Sequence, residues 1–162
     1  MIRQRNQVIS LIITCFGCDQ LSKHLVRINM KSLESIEVIK HTLFFTRVEN
    51  KGAFLSVGEE MNSILKSSLL SFIPLLALFS AICYMLYFKR DSQLFISGIS
   101  FVIGGGLGNV VDRILYRSVL DFIHIKKPFF QLGIFNIADI AILIGICILI
   151  LNVLKNRNIA LR

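Results

Sequence analysis

Four apolar stretches divide the chain, and its polar residues collect at their ends. The first begins with eleven mostly apolar residues, Val8 to Cys18. Beyond them Asp19, Lys23 and Arg27 recur every four residues, which puts them on one face of a continued helix where opposite charges can pair. The pattern predicts a helix over about 8–28, long enough to span a bilayer, with amphipathic last turns. The basic start MIRQRNQ and the Gly17-Cys18 pair also have the outline of a secretory signal peptide, but the periodicity that runs on past Cys18 favours the spanning helix. Leu69 to Phe88 is twenty residues without a charge, enough to cross about 30 Å of hydrocarbon. It forms the centre of a second predicted span, 66–88, which Pro74 is expected to kink. The link KRDSQ at 89–93 is so short that a third span, 94–113, must return antiparallel. Its Gly104 and Gly108 have the GxxxG spacing that lets another helix approach closely. A fourth span is predicted over 135–154.

Residues 29–63 follow a different pattern. Helical periodicity is lost, and the β-favouring runs IEVI, TLFFTRV and AFLSV lie between Glu37 and Val57 with NKG at 50–52 as a turn signal. Thirty-five residues is too long for a bare connection, so a small twisted sheet on the membrane face is expected. The predicted fold is a mainly α membrane protein: four transmembrane helices with a small β-rich extracytoplasmic element, as one domain over 1–162.

Composition agrees. With 54% apolar and 17% charged residues and a net charge of +8, the chain lacks the charged shell of a soluble domain. The basic residues fall at the ends of apolar runs, where anionic headgroups attract them, and not in a stripe interleaved with aromatics, so nucleic-acid binding is not expected. Cys15, Cys18, Cys83 and Cys147 all lie in apolar runs and read as small buried side chains. The three histidines fall in unrelated segments and none forms HExxH, so no metal or cofactor is expected. Four spans put both termini on one side. The short segments there (MIRQRNQ, KRDSQ, KNRNIALR) carry seven Lys or Arg against one Asp, which favours cytoplasmic termini and places 29–63 and 112–134 outside.

The third span ends and the fourth begins on that outer face, so Asp121 and Asp139 lie at the same membrane surface. Asn109, Asp112 and Arg113 share one side of the third helix, and Asn136 and Asp139 one side of the fourth. At about 1.5 Å per residue, Asp139 is expected roughly 6 Å inside the fourth helix. Two carboxylates brought together there would share one proton, the ionised one accepting a proton from water while the other polarises a peptide carbonyl. Eighteen residues of separation do not fix a distance, and a purely structural salt-bridged cluster around Asp112 and Arg113 stands as an equal alternative at this point.

Five motifs in order, DQLSK at 19–23, NKGAF at 50–54, GNVVDR at 108–113, LDFI at 120–123 and FNIAD at 135–139, resemble those of the bacterial lipoprotein signal peptidases, or signal peptidase II, over nearly the whole chain. The resemblance implies that Asp121 and Asp139 are the catalytic aspartates. It implies that Asn50, Gly52, Asn109, Asp112, Arg113 and Asn136 bind substrate or support the site, and that Asp19 and Lys23 hold the architecture. The implied substrate is a prolipoprotein carrying a diacylglyceryl cysteine, cleaved just before that cysteine by a monomer surrounded by membrane lipids. The implied location is the bacterial inner membrane, with the active site at the extracytoplasmic face. His124 stands where family members often carry an acid or amide, and reads as a third titrating group or an ordinary loop histidine. The chain has no tryptophan, where relatives frequently have one before the last motif. The rival readings are a small proton-coupled transporter or channel subunit using Asp112, Arg113 and Asp139 as a relay, and a non-catalytic scaffold.

Overall fold

A computed structural model describes residues 2–52, 68–87, 92–127 and 129–160. Four helices, α1 (Ile2–Asn29), α2 (Ile73–Tyr87), α3 (Gln93–Tyr116) and α4 (Ile137–Ala160), pack beside a four-stranded sheet of β1 (Ser35–Ile39), β2 (Leu43–Asn50), β3 (Val119–Lys127) and β4 (Phe130–Gln131). The strands lie in sequence order and all pair antiparallel. Two helices, Gln93–Tyr116 and Ile137–Arg157, are long and apolar enough to cross a membrane, and Leu70–Met85 is a shorter apolar helical stretch.

α1, α3 and α4 extend beyond their predicted ends. α1 runs unbroken through Asp19, Lys23 and Arg27, and Arg47 closes it by donating to the carbonyls of Met30 (2.6 Å) and Arg27 (3.0 Å), the last-turn acceptors a helix leaves open. The helical stretch before α2 opens as a wide π turn over Ser68–Phe72. Pro74, having no N–H to give the preceding turn, thus sits in the first α-helical turn and not at a mid-span kink. α3 starts at the Ser92 cap, whose hydroxyl accepts from Phe95 N, and ends at Arg117 in the left-handed region (φ 59°). It is one turn longer than predicted because Arg117 N donates to Arg113 O and closes the last turn. α4 begins at Ile137, two residues later than expected, because Phe135 is held by a bridge to Ile123 of β3.

α1 is inside out by the standard of a soluble helix. Asp19 and Lys23 are fully buried, whereas Ile9, Ile13, Leu21, Leu25 and Ile28 face outward. Gly104 and Gly108 of α3 allow α1 its close approach, as their spacing predicts. A Cβ on Gly104 would meet Cys15 and the Ile12 carbonyl, and one on Gly108 would overlap the Asp19 carboxylate. Of the four cysteines expected to be buried, Cys15 is buried and Cys83 partly so, whereas Cys18 and Cys147 are exposed on the outward faces of their helices.

The predicted sheet is present in β1 and β2, while AFLSV at 53–57 lies outside the described residues. The sheet's second half comes instead from β3, in the segment 112–134 expected to be only a connection. There is a reason the pattern hid it: Val119, Leu120, Asp121 and Phe122 are all buried, so no apolar–polar alternation marks the strand. Leu120 and Phe122 pack with Val26 and Met30 of α1 and with Phe45 of β2. Strand alternation then turns Asp121 to the opposite face.

Candidate active site

Three elements bring two carboxylates together. Asp121 is on β3, and Asn50, the last residue of β2, lies diagonally across the ladder from it, since Asn50 pairs with Val119 and Val48 with Asp121. Asn50 Nδ2 donates to Asp121 Oδ2 at 2.9 Å. Its own Oδ1 accepts the Gly52 N–H at 2.9 Å, a local turn that fixes which end of the amide meets the carboxylate. This gives the Asn-x-Gly spacing at 50–52 a physical cause.

Asp139 lies in the first turn of α4. Asn136, expected inside the helix, is its cap: Asn136 Oδ1 accepts from Asp139 N (3.0 Å) while Asp139 Oδ2 accepts from Asn136 N (3.1 Å), a reciprocal capping box. The next open donor, Ala138 N, gives to Asp19 Oδ1 of α1 at 2.9 Å. Asp139 is therefore closer to the helix start than the 6 Å expected of it. Asn136 Nδ2 also donates to Asp121 Oδ1 at 2.7 Å, so one buried asparagine holds both aspartates.

Asn109 of α3 completes the arrangement. Its Nδ2 donates to Asp139 Oδ1 (2.8 Å), and its Oδ1 accepts from Asn136 Nδ2 (3.2 Å) and Lys23 Nζ (3.0 Å). Lys23 thereby sets the orientation of the Asn109 amide, and it also pairs with Asp19 (2.8 Å) and Asp112 (3.3 Å), all three side chains fully buried. Asp112 further accepts from Arg27 Nη2 (3.2 Å) and from the backbone N of Leu120 (3.1 Å). It anchors β3 one residue before Asp121 and has no direct hydrogen bond to the pair. Arg113 hydrogen-bonds back to Asn109 O at 3.4 Å and carries its charge near Asp112, Asp121 and Asp139.

Burial pushes the Asp121 carboxyl up to about 6. The Asp139 charge pushes the same way, and hydrogen bonds from Asn50 and Asn136 and the Lys23 charge oppose it. Such a group is protonated in mildly acidic conditions and poised to exchange a proton.

Both carboxylates open onto a cavity of about 590 Å³. Asn50, Asn109, Arg113, Asp121 and Asp139 form its polar end, and apolar side chains of α3 and α4, including Val110, Ile140, Leu143 and Ile146, form its walls. A pair of carboxylates at one end of an apolar slot can receive a molecule that is part polar and part hydrocarbon.

Every site residue expected from the sequence except the histidine joins this network. His124 lies on strand β3, not in a loop, with its Nε2 3.1 Å from Gln131 Nε2. Three positions along the strand from Asp121, it falls on the other face of the sheet. Gln20 was missed: its Nε2 donates to Asp19 Oδ2 (3.1 Å), Gly108 O (3.2 Å) and Asp112 Oδ1 (3.4 Å), joining α1 to α3. The Ser118–Glu49 hydrogen bond (2.7 Å) was also missed. Gln20 stands inside a motif and next to Asp19, which was a usable signal. Ser118 and Glu49 meet only through strand register, which no local spacing encodes.

Comparison with known proteins places this geometry. Residues 11–155 match the family described as Signal peptidase (SPase) II. A lipoprotein signal peptidase of Clostridium novyi (strain NT) is 33% identical over 151 residues, covering 91% of this chain and 98% of that protein. One of Clostridium acetobutylicum is 35% identical over 140 residues, covering 85% and 88%. Two solved structures, each described as a bacterial membrane enzyme, superpose with TM-scores of 0.81 and 0.80 at 28% and 30% identity. They cover 94% and 93% of this chain, and 90% and 94% of their own.

Proposed function

The chain belongs to the signal peptidase II family, and from that premise we propose that it is a membrane-embedded aspartic endopeptidase with Asp121 and Asp139 as its catalytic pair. Family membership makes it a membrane peptidase that removes signal peptides from prolipoproteins. The observation that carries the finer reading is the Asn136 bridge, which holds both carboxylates at the polar end of the cavity.

Asp139, in the first turn of a helix whose N-terminus favours negative charge, serves as the base. It takes a proton from a water held between the carboxylates, and that water attacks the scissile carbonyl carbon. Asp121, protonated below about 6, donates a hydrogen bond to the carbonyl oxygen and stabilises the tetrahedral intermediate. The proton on Asp139 then passes to the leaving nitrogen as the C–N bond breaks. Asn50, Asn109 and Asn136 keep the pair oriented throughout, and Arg113 at the cavity wall binds substrate carbonyls. The diacylglyceryl chains of the substrate occupy the apolar slot, which puts the bond before the modified cysteine at the aspartates.

The outward apolar stripe of α1 supports a bilayer around that helix too, and with α2, α3 and α4 gives four spans, both termini cytoplasmic in the inner membrane. The protein acts as a monomer. A proton relay across the membrane is disfavoured by the placement of charge: among the described residues the buried acidic and basic side chains are Asp19, Lys23, Asp112 and Asp121, all tied to one cluster.

The test is cleavage of a diacylglyceryl-modified prolipoprotein by purified protein, wild type beside Asp121→Asn and Asp139→Asn, with folding checked for each. Activity in the wild type and loss of at least a thousandfold in both folded variants is expected. Activity surviving in either variant overturns the two-aspartate mechanism.

A further inference from the structure

The end of the sheet far from the aspartates is both apolar and basic. Lys126 N donates to Thr42 O at 3.0 Å, so the β1–β2 and β3–β4 turns lie side by side there. Phe129 is fully exposed (102%), and Phe130, Ile39 and Val38 are about half exposed (56%, 54% and 49%). Lys40, Lys126 and Lys127 are exposed among them. The acid at this end, Glu37, is engaged by the backbone N (2.5 Å) and ring (3.7 Å) of His41, so the lysines are left without an acidic partner at this edge among the described residues.

From Asp121 to Lys127 the strand extends about 20 Å at roughly 3.3 Å per residue. If β3 stood upright on the membrane, this edge would hold four apolar side chains in open water, with nothing to cover them. If the sheet lies along the surface, the same residues reach the headgroup layer. That layer suits aromatic rings, and negative lipids attract lysine there. We propose that this edge, Val38–Lys40 with Lys126, Lys127, Phe129 and Phe130, is an interfacial anchor that rests among anionic phospholipid headgroups and lays the sheet flat beside the cavity. The inference rests on α3 and α4 crossing the bilayer and not on the peptidase chemistry.

The chain contains no tryptophan, so Phe129→Trp supplies a single fluorescent reporter at an exposed position. The full-length variant is reconstituted in phosphatidylglycerol or phosphatidylcholine bilayers with bromine-labelled acyl chains, and quenching by bromine is compared with quenching by aqueous acrylamide. Ile144→Trp, on the outer side of α4, is the depth reference. Expected is strong bromine quenching at position 129 in phosphatidylglycerol. A fall of about fivefold in the ratio of bromine-quenched to acrylamide-accessible protein is expected for each lysine replaced by alanine at 40, 126 and 127. Three results overturn the proposal: acrylamide access without bromine quenching, equal bromine quenching in both lipids, and protection from both quenchers, which would mean that protein covers the edge. If the reference at 144 also escapes bromine, the spanning reading of α4 has failed and the anchor falls with it.

Discussion

Asp121 pairs an unusual setting with a usable signature. Its folded pKa of about 6 lies above the ordinary 3.8, so in the free enzyme the protonated form is lost as pH rises through about 6. We therefore expect kcat/KM to fall about tenfold per pH unit above that point. The limb in kcat should lie higher, because bound substrate excludes more water. Asn50 stabilises the charged form, so Asn50→Leu should move the kcat/KM limb to higher pH while lowering the rate; a limb that stays put or moves down would refute the assigned hydrogen bond. The same raised pKa makes a contribution to stability that is fully present below 3.8 and lost as pH rises through about 6. Melting temperature should decline over that window in the wild type, and Asp121→Asn should lack that decline. Lys23 presents the opposite case, a buried cation among Asp19, Asp112 and the Asn109 amide. Lys23→Met leaves the buried Asp19 carboxylate without its cation, while Asp112 keeps Arg27, and should destabilise the fold by about 3–5 kcal/mol, read by thermal unfolding in detergent.

At the scale of elements, the site depends on how closely α1 and α3 approach, because Asp19 must reach past α3 to cap α4 at Ala138. Gly108→Ala would push a methyl group into the Asp19 carboxylate. We expect a loss of about 1–3 kcal/mol together with a lower kcat, since the start of α4 carries Asp139. Gly17→Ala on α1 is the matched control: nothing lies within 4 Å of the added Cβ, and the change should stabilise the helix by about 0.5–1 kcal/mol with activity unchanged. Equal effects at the two glycines would contradict the packing argument. The tie between Ser118 and Glu49 acts at the same scale, joining the exit of α3 to the strand that carries Asn50.

For the whole molecule, the decisive quantity is which way each apolar surface faces. α3 and α4 satisfy the length and composition of spans by themselves, whereas α1 carries charges and is assigned to the bilayer because those charges point inward. Reporter fusions at the two termini should therefore both signal the cytoplasm, and a cysteine introduced at Leu33, beyond the end of α1, should label from the outside. Termini on opposite faces would remove α1 or α2 from the membrane and break the four-span arrangement. In the function proposed above, the lipid chains of the substrate enter the apolar cavity, about 590 Å³ with the aspartates at one end, from the bilayer, which the proposed orientation allows.

The helices were legible in the sequence because hydrophobic length and the four-residue spacing of Asp19, Lys23 and Arg27 are local properties, and a helix satisfies its backbone locally. β1, β2 and the turn at Asn50 were legible for the same reason. The motifs named residues that the fold gathers at one end of the cavity, Asp121, Asp139, Asn136, Asn109 and Asn50 among them, but not their arrangement. That Asn136 caps α4 while gripping Asp121, that Lys23 orients Asn109, and that β3 completes the sheet were decided only by the tertiary fold. Those relations depend on the register of β2 against β3 and on the spacing between helices, which are set by burying Leu120 and Phe122 against α1. Residue order does not encode a distance between chain segments that only packing brings together, and here the chemistry depends on that distance.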